Sequence, residues 1–589
     1  MSVPQDFVQG TIKNTSPLNI GIVGGSISGL YAALLLQREG HYVRIFEGTD
    51  RVGGRVRTHY FSQEDNQYFE AGAMRIPNSP FHTIVFQLID YLTTSDLPKE
   101  MQVALIKYIL NAPGNSLYIN GVTSPGYNVS STTPSEIQWD VPQEYANQTA
   151  KDLMLSAIGP FLAELKENFQ AAFNRIVAKY DSYSFRYYCS SVMGWPETVI
   201  DFVETVTSQT NQFALSVTEL VMQNMDFDET DWKTIDKGMS RLPQAMAWLV
   251  GHNNITFGAR VTGIEEEEDG RTTIVASGYN GTVKAKFDRV IVAIPPAALK
   301  MIVDRPRWSV EKEMAIRSMH FEALYKMGMR FKTRFWEQVQ PKSCDGGQST
   351  TDLPIRWIVF PSNGIGGDGP GVLLVYAWMT DAATWLPLTP IERRSLALHC
   401  IAQLYQGQVD KHGNEIDVYD LLMETSDAIW SEATATGDAM FLPSQFASRF
   451  QVARAPEGNV YFAGEHLSYH HTWISGAADS ALKTVRDLLN DQTILPLGTP
   501  RTGLPTPSRP GAPIGQGAVA DVDFEFIPHN PMFLGDGSIW RPVIGRPGPP
   551  FSNQSAKKPG MPKDLGMSGL HVLGADVAHL KGPNSVEMS

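Results

Sequence analysis

Short apolar runs separated by stretches of helical spacing dominate the chain from residue 19 onward. Residues 19–23 (NIGIV) read as a buried strand, residues 28–39 repeat Leu and Ala at helical spacing, and Gly40 is placed to end that helix. Residues 42–47 read as a second strand. Strand, helix and strand in that order open a doubly wound sheet, whose further strands must come from elsewhere in the chain. Two later runs qualify. Residues 288–295 (DRVIVAIP) form one, preceded by strands near 261–267, 272–276 and 283–286 with a turn at Asn280-Gly281. Residues 459–465 form the other, followed by a helix over 476–489.

Between these pieces, residues 151–239 carry apolar positions at helical spacing with few turn signals and read as a helical insert. Residues 306–450 mix strands at 323–331, 355–360 and 372–378 with a helix over 390–405. The expected fold class is α/β. A discontinuous Rossmann-like nucleotide domain takes residues 17–78, 241–305 and 452–492, an α+β domain takes 79–150 and 306–451, and the helical insert takes 151–240. Residues 493–589 form a tail in which Gly and Pro reach about 30%, a level typical of linkers. Its aromatics Phe524, Phe526, Phe533 and Trp540 leave docking on the main body open.

Composition narrows the classes. The 589 residues exceed a single core, and 42% hydrophobic with 19% charged residues suits a globular chain with large buried regions. A net charge of −14 with no long basic run argues against nucleic acid and against an anionic membrane surface. The apolar stretch 20–36 is broken by Gly24, Gly25, Ser26, Ser28 and Gly29, so it reads as strand, turn and helix rather than a membrane span. The first eighteen residues show no secretory pattern, which makes the cytoplasm the default expectation. Cys189, Cys344 and Cys400 lack disulfide-framework or metal-ligand spacing, and no metal is expected.

The chemistry concentrates in a few segments. Gly24-Gly25-Ser26-Ile27-Ser28-Gly29 joins the first strand to the first helix, where backbone N–H groups can hold a pyrophosphate; Glu47 closes the next strand, where a ribose-binding carboxylate is expected. Ser26 replaces the usual middle glycine. Residues 51–58 (RVGGRVRT) add paired glycines and Arg55, which can bring backbone and guanidinium to the same phosphates.

These segments, with GAMRIP at residues 72–77 and GEHLSYHHTWISGA at 464–477, resemble the flavin amine oxidase superfamily, and within it the L-amino-acid oxidases. The resemblance covers roughly residues 18–491 and leaves the tail out. It implies a GR2-type FAD-binding domain beside a substrate-binding domain, with noncovalent FAD, an L-amino acid and molecular oxygen as reactants, and a homodimer or higher homo-oligomer. By resemblance the cofactor contacts Gly24, Gly25, Ser26, Ser28, Gly29, Glu47 and Gly48 at its nucleotide end, and Gly54, Arg55 and Glu465 along its middle. Gly72, Ala73, Met74, Arg75, Gly464, Thr472, Trp473, Ile474 and Ala477 would approach the flavin, and Val261 the adenine.

Four residues carry the implied catalysis. Arg75 distinguishes amino acids from simple amines, because a planar guanidinium makes two parallel charge-assisted hydrogen bonds to a carboxylate. From its type alone a structural ion pair is the commoner reading, because paired arginines are frequent. Tyr376 would give the same carboxylate a further bond, or be a core strand tyrosine. Residues 323–331 alternate, with Lys326 and Arg330 on one face; the plain reading is a solvated face, whereas the resemblance has Lys326 hold a water near flavin N5. Trp473 would wall the substrate cavity. His466, His470 and His471 offer a base, with surface or packing roles as the alternative for at least two.

The implied reaction moves a hydride from Cα to flavin N5, and the imine hydrolyses to a 2-oxo acid and ammonia while oxygen yields hydrogen peroxide. Amino-acid 2-monooxygenase, amine or polyamine oxidase, and an FAD-binding scaffold without turnover remain as alternatives. Side-chain contacts setting preference are sought at residues 211–213, at Glu322 and at residues 438–441, where Asp438 would favour a basic substrate.

Overall fold

The structure is a computed structural model that describes residues 16–125, 131–209, 211–227, 229–278, 281–340, 343–431, 436–499 and 524–528. A parallel sheet of five strands forms from separated pieces of chain. Its order is Ile255–Thr256, Tyr42–Phe46, Asn19–Val23, Arg289–Val292, Val460–Phe462. These short Val/Ile-rich strands are buried because helices cover one face of the sheet and the antiparallel strands of residues 260–287 cover the other, where Ile274 and Phe287 come against Gly21 and Phe46. The helix Ile27–Arg38 packs against Arg241–Val250 and Ile474–Leu489, and Leu30, Leu34, Ala478, Ala481 and Leu242 share one core.

The helix Thr83–Thr93 falls in the range expected for the α+β part, yet it buries Val85, Leu88, Ile89 and Leu92 in this first core. Residues 494–497, read as the start of the tail, also pack there. Ile494 and Leu497 are buried, and the Leu497 N–H donates to the Tyr31 hydroxyl.

A second sheet is antiparallel, in the order Arg260–Glu266, Thr272–Gly278, Gly281–Phe287, Phe524–Pro528. The hairpin expected at Asn280-Gly281 is bracketed by the Gly278↔Gly281 pair; its tip, residues 279 and 280, lies outside the described residues. The last strand comes from the tail segment that holds Phe524 and Phe526, whereas Phe533 and Trp540 lie outside the described residues.

The third sheet has seven strands, ordered Leu422–Ile429, Leu324–Phe331, Gly371–Trp378, Trp357–Val359, Gln348–Thr351, Ser116–Ile119, Val122–Pro125. Its two faces go to different cores. Tyr325, Met327, Met329, Leu373 and Val375 join the helix Pro390–Tyr405 on one side, while Val372, Leu374 and Trp378 join the largest core on the other. Strand alternation of period two makes that division.

The helical segment begins with Ala150–Glu167 and Phe169–Tyr180, capped by Thr149 and Asn168, and continues through Phe185–Ser191, Glu197–Val206 and Val217–Gln223. Residues 232–235, expected within this insert, form a strand instead and pair with Leu105–Tyr108 and Ile76–Pro77. Trp232 and Thr234 are buried while Lys233 is not, so sheet pairing overrides the helical reading there. All three cysteines are free and buried. Among the described residues, no helix is long and apolar enough to cross a membrane.

Candidate active site

A cavity of about 650 Å³ runs from the C-terminal ends of the parallel strands to the third sheet. Its nucleotide end is built mostly from backbone. Gly24 has φ +103°, and a Cβ there would lie 2.9 Å from the Ala293 carbonyl oxygen. Ser26 starts the helix without a side-chain cap; its hydroxyl lies 3.1 Å from the Ala293 carbonyl, to which it donates. The first-turn N–H groups beside Ser26, Ile27 and Ser28 therefore open on the cavity uncapped, a favourable setting for an anion.

Gly25 and Gly29, expected to touch the cofactor, do not line this cavity. The Gly25 N–H donates to Glu47 Oε2 at 2.8 Å and holds that carboxylate in place. A Cβ on Gly29 would fall 2.1 Å from the Gly24 carbonyl oxygen, so this glycine lets helix and turn approach closely. The loop with Gly53 (φ +103°) and Gly54 (φ +55°) docks on the same turn through a Gly53 N–H bond of 2.9 Å to the Gly25 carbonyl. Glu47, Gly48, Val261 and Gly54 complete this end.

Midway, Arg55 reaches Glu465 at 2.7 Å and the Gly437 carbonyl at 2.8 Å. The Glu465 carboxylate also accepts the Thr472 N–H at 2.8 Å. Burial would raise the Glu465 carboxyl, but Arg55 and the neighbouring His466 and His471 outweigh it and hold the pKa below its ordinary value. The Arg55 guanidinium, expected to point at phosphates, thus lines the cavity while paired to an acid. Thr472, Trp473, Ile474 and Ala477 bring the start of Ile474–Leu489 to the cavity, with no side-chain cap on that helix. Gly464, Gly72, Ala73 and Met74 line the wall between.

At the far end stands Arg75, 9% exposed. Its guanidinium lies 5.5 to 5.9 Å from the ring centroids of Tyr108, Phe227, Trp232 and Trp357, and 3.5 Å from the Gln348 amide oxygen. Among the described residues no carboxylate pairs with it, so the structural ion pair left open by sequence is not what fills this position. Four rings and an amide supply a dry frame with the charge unmatched.

Register brings the remaining groups together. Lys326 and Trp357 flank Tyr376 as its direct cross-strand partners, and all three line the cavity. Lys326 is 3% exposed, so its face is not solvated. Its ammonium donates to the Gly72 carbonyl at 2.6 Å and to the Glu70 carbonyl at 3.3 Å, and stands 4.5 Å from the Tyr376 ring centre. Burial pushes the Lys326 pKa down to about 7 against the opposing pull of Glu70. Burial likewise pushes the Tyr376 hydroxyl well above its usual range, so it stays a donor.

Trp473 is backed by His82, edge-on at 5.0 Å, and by His470, stacked at 6.1 Å. Asp226 ties both histidines, at 3.4 and 2.5 Å, and accepts the Ser79 hydroxyl at 2.5 Å. His471 pairs with Glu219 at 2.8 Å, and burial pushes His466 down to about 3. All three late histidines are buried; none has the surface role left open for it. Of the positions searched for specificity, Gln212, Glu322, Asp438 and Met440 line the cavity, whereas Asn211, Phe213, Ala439 and Phe441 do not. Tyr108, Phe227, Trp232 and Trp357 carry no motif in the sequence that marks them as neighbours of Arg75.

A model of the family described as flavin containing amine oxidoreductase matches residues 27–489. The chain belongs to that family. Relatives include a putative L-amino-acid oxidase, YobN, of Bacillus subtilis (strain 168), 29% identical over 81% of this chain and 96% of its own. L-amino-acid oxidase 4 of Hebeloma cylindrosporum is 29% identical over 80% of this chain and 81% of its own, and the L-amino-acid oxidase of Echis ocellatus is 28% identical over 81% and 90%. In fold the chain resembles a putrescine oxidase bound to putrescine, with a TM-score of 0.59 and 18% identity over 80% of this chain and 99% of that one. Cyclohexylamine oxidase from Brevibacterium oxydans gives 0.59 and 16% over the same shares. The cofactor of this family member is FAD. The uncapped helix start, the glycine turn and the Glu47 carboxylate fit its nucleotide part, and none of the three cysteines lines the cavity.

Proposed function

We propose that this flavoprotein is an L-amino-acid oxidase, converting L-amino acids to 2-oxo acids with release of ammonia and hydrogen peroxide. The observation that carries the reading is Arg75: a buried guanidinium on the cavity wall, framed by four aromatic rings and lacking an acidic partner among the described residues. The relatives named as L-amino-acid oxidases support it. A buried cation without a counter-charge is costly, and a substrate carboxylate relieves that cost.

In this reading a discontinuous Rossmann-like domain would hold FAD, which would supply the hydride acceptor for Cα and the route for electrons to oxygen. Arg75 grips the α-carboxylate, and the Tyr376 hydroxyl donates a further bond to it. Trp473, held by the His82–Asp226–His470 cluster, walls the substrate so that Cα cannot rotate away. Lys326 fastens the Gly72 carbonyl and hence the segment that carries Arg75; near neutral pH it also releases or takes up a proton readily.

The rival amine oxidase reading draws on the acidic groups Glu322 and Asp438 in the same cavity and on the fold of the putrescine and cyclohexylamine oxidases. A peroxide assay over the twenty L-amino acids and their decarboxylated amines separates the two. Amino acids are expected to react and amines to fail. Arg75→Ala should keep its yellow FAD and lose about 10²- to 10⁴-fold in kcat/KM, for two charge-assisted bonds of roughly 1.5 to 3 kcal/mol each. An unchanged kcat/KM, or amines preferred over amino acids, would refute the assignment. Carbon dioxide and amide in place of ammonia and peroxide would assign a 2-monooxygenase.

A further inference from the structure

Two carboxyl groups, Glu322 and Asp438, stand on the wall of the substrate cavity, and among the described residues no cation forms an ion pair with either. Phe321 and Ala439 form an isolated antiparallel bridge, which sets Glu322 beside Asp438. The Glu322 N–H donates to the Asp438 carbonyl at 3.1 Å, and the Gly437 N–H donates to the Glu322 carbonyl at 3.1 Å. Gly437 is needed for that approach, since a Cβ on it would lie 2.4 Å from the Glu322 carbonyl oxygen.

Both side chains line the cavity that Arg75 and Tyr376 also line. Glu322 is 4% exposed. Its Oε2 and the Oδ1 of Asp438 are buried without a hydrogen-bond partner. Glu322, raised by burial and by Asp438, shares a hydrogen bond with the Asp438 carboxylate, and because carboxylate oxygens only accept, the two orphaned oxygens stay unsatisfied unless a further proton or a cationic donor enters. The nearby guanidinium of Arg55 is already committed to Glu465 and the Gly437 carbonyl. Trp378, Leu324 and Met440 make the surrounding wall apolar, which raises the cost of an unmatched charge.

We propose that Glu322 and Asp438 form a subsite for the side chain of a cationic L-amino acid of the lysine class, the ammonium or guanidinium supplying the missing donors. This rests on the L-amino-acid oxidase reading and deepens it. The cavity then has two poles: Arg75 for the α-carboxylate and the acidic pair for the distal cation. Tyr376 lies within electrostatic reach of both, as its ionisation is opposed by burial, Asp438 and Glu322 and eased by Arg75. A diamine would satisfy the acidic pole and leave Arg75 unanswered; a neutral amino acid would do the reverse.

The test uses the FAD-loaded full chain. Anaerobic flavin reduction by L-lysine, L-ornithine, L-arginine and L-leucine is followed in the wild type, in Asp438→Asn, and in the Glu322→Gln/Asp438→Asn double variant, with FAD absorbance as the check on folding. The expected result is a preference of at least about tenfold for a cationic amino acid in the wild type. The lysine-to-leucine ratio of kcat/KM should fall by about a hundredfold in the double variant. Leucine reacting as well as lysine in the wild type, or a ratio unmoved by the substitutions, overturns the subsite alone. Silence toward every amino acid overturns the oxidase reading, and the subsite with it.

Discussion

The two ends of the cavity are made in different ways. At the nucleotide end the working groups are N–H donors at a helix start, glycines that clear the path, and a carboxylate fixed by a backbone amide. At the substrate end they are side chains from distant segments: Arg75 from a loop, Lys326, Trp357 and Tyr376 from three paired strands, and Trp473 from a helix start. A site built from backbone tolerates exchange of side chains but not addition of atoms. A site built from side chains behaves the other way round.

Gly29→Ala should produce the largest effect. The added Cβ would meet the Gly24 carbonyl oxygen at 2.1 Å, and backbone cannot yield as a flexible side chain can. The turn and helix must separate, which moves the N–H groups away from their anion. The purified variant is expected to be colourless or nearly so, read as the ratio of flavin to protein absorbance. Wild-type flavin content in this variant would break the distinction between the ends. Arg75→Ala should do the opposite, keeping the colour while losing turnover.

The same contrast governs what could be read from sequence. The turn, the first helix and Glu47 occupy one contiguous stretch, so spacing alone exposed them. Spacing did not say which glycines serve the ligand, and Gly25 and Gly29 turned out to serve Glu47 and helix packing. Single residues at the substrate end carried a signal only through resemblance. The frame around Arg75 gave none, because Tyr108, Phe227, Trp232 and Trp357 meet only in three dimensions. Trp232–Ile235 gives no strand signal of its own, because Trp-Lys-Thr-Ile does not alternate and lies between the helices Val217–Gln223 and Arg241–Val250. Leu422–Ile429 was missed for a related reason. Its exposed and half-buried polar positions, Glu424 and Asp427, are held by Arg330, Arg393 and Tyr325 from neighbouring elements.

A smaller effect should appear when pH is varied, at the substrate end only. Burial and the Glu465 charge push Asp438 up to about 6, against the hydrogen bond from Glu322 and the charge of Arg55. Glu322 is raised further by burial and by Asp438, and Lys326 also feels the Asp438 charge. The folded chain therefore favours the protonated Asp438, so this group's contribution to stability falls as pH rises from about 4 through 6. Recognition of a cation runs the other way. The lysine-to-leucine ratio of kcat/KM should rise by about tenfold per pH unit below 6 and level off above it, while the common α-amine cancels from the ratio. A flat ratio from pH 5 to 7 in steady-state assays would remove the charge from the account.

Ser26→Gly should change least, and it tests the nucleotide end from its own side. This position differs from the usual glycine pattern, yet the hydroxyl bonds to the Ala293 carbonyl at 3.1 Å and lies 3.0 Å from Ser28 Oγ instead of capping the helix. Its loss removes roughly 1 kcal/mol of hydrogen bonding within the protein and no cap, and glycine is itself accepted at a helix start. FAD affinity, followed by quenching of flavin fluorescence on titration into apoprotein, is expected to stay within about threefold of wild type. A loss beyond about tenfold would mean that the serine side chain itself holds the cofactor. The nucleotide end would then depend on side-chain chemistry much as the Arg75 end does.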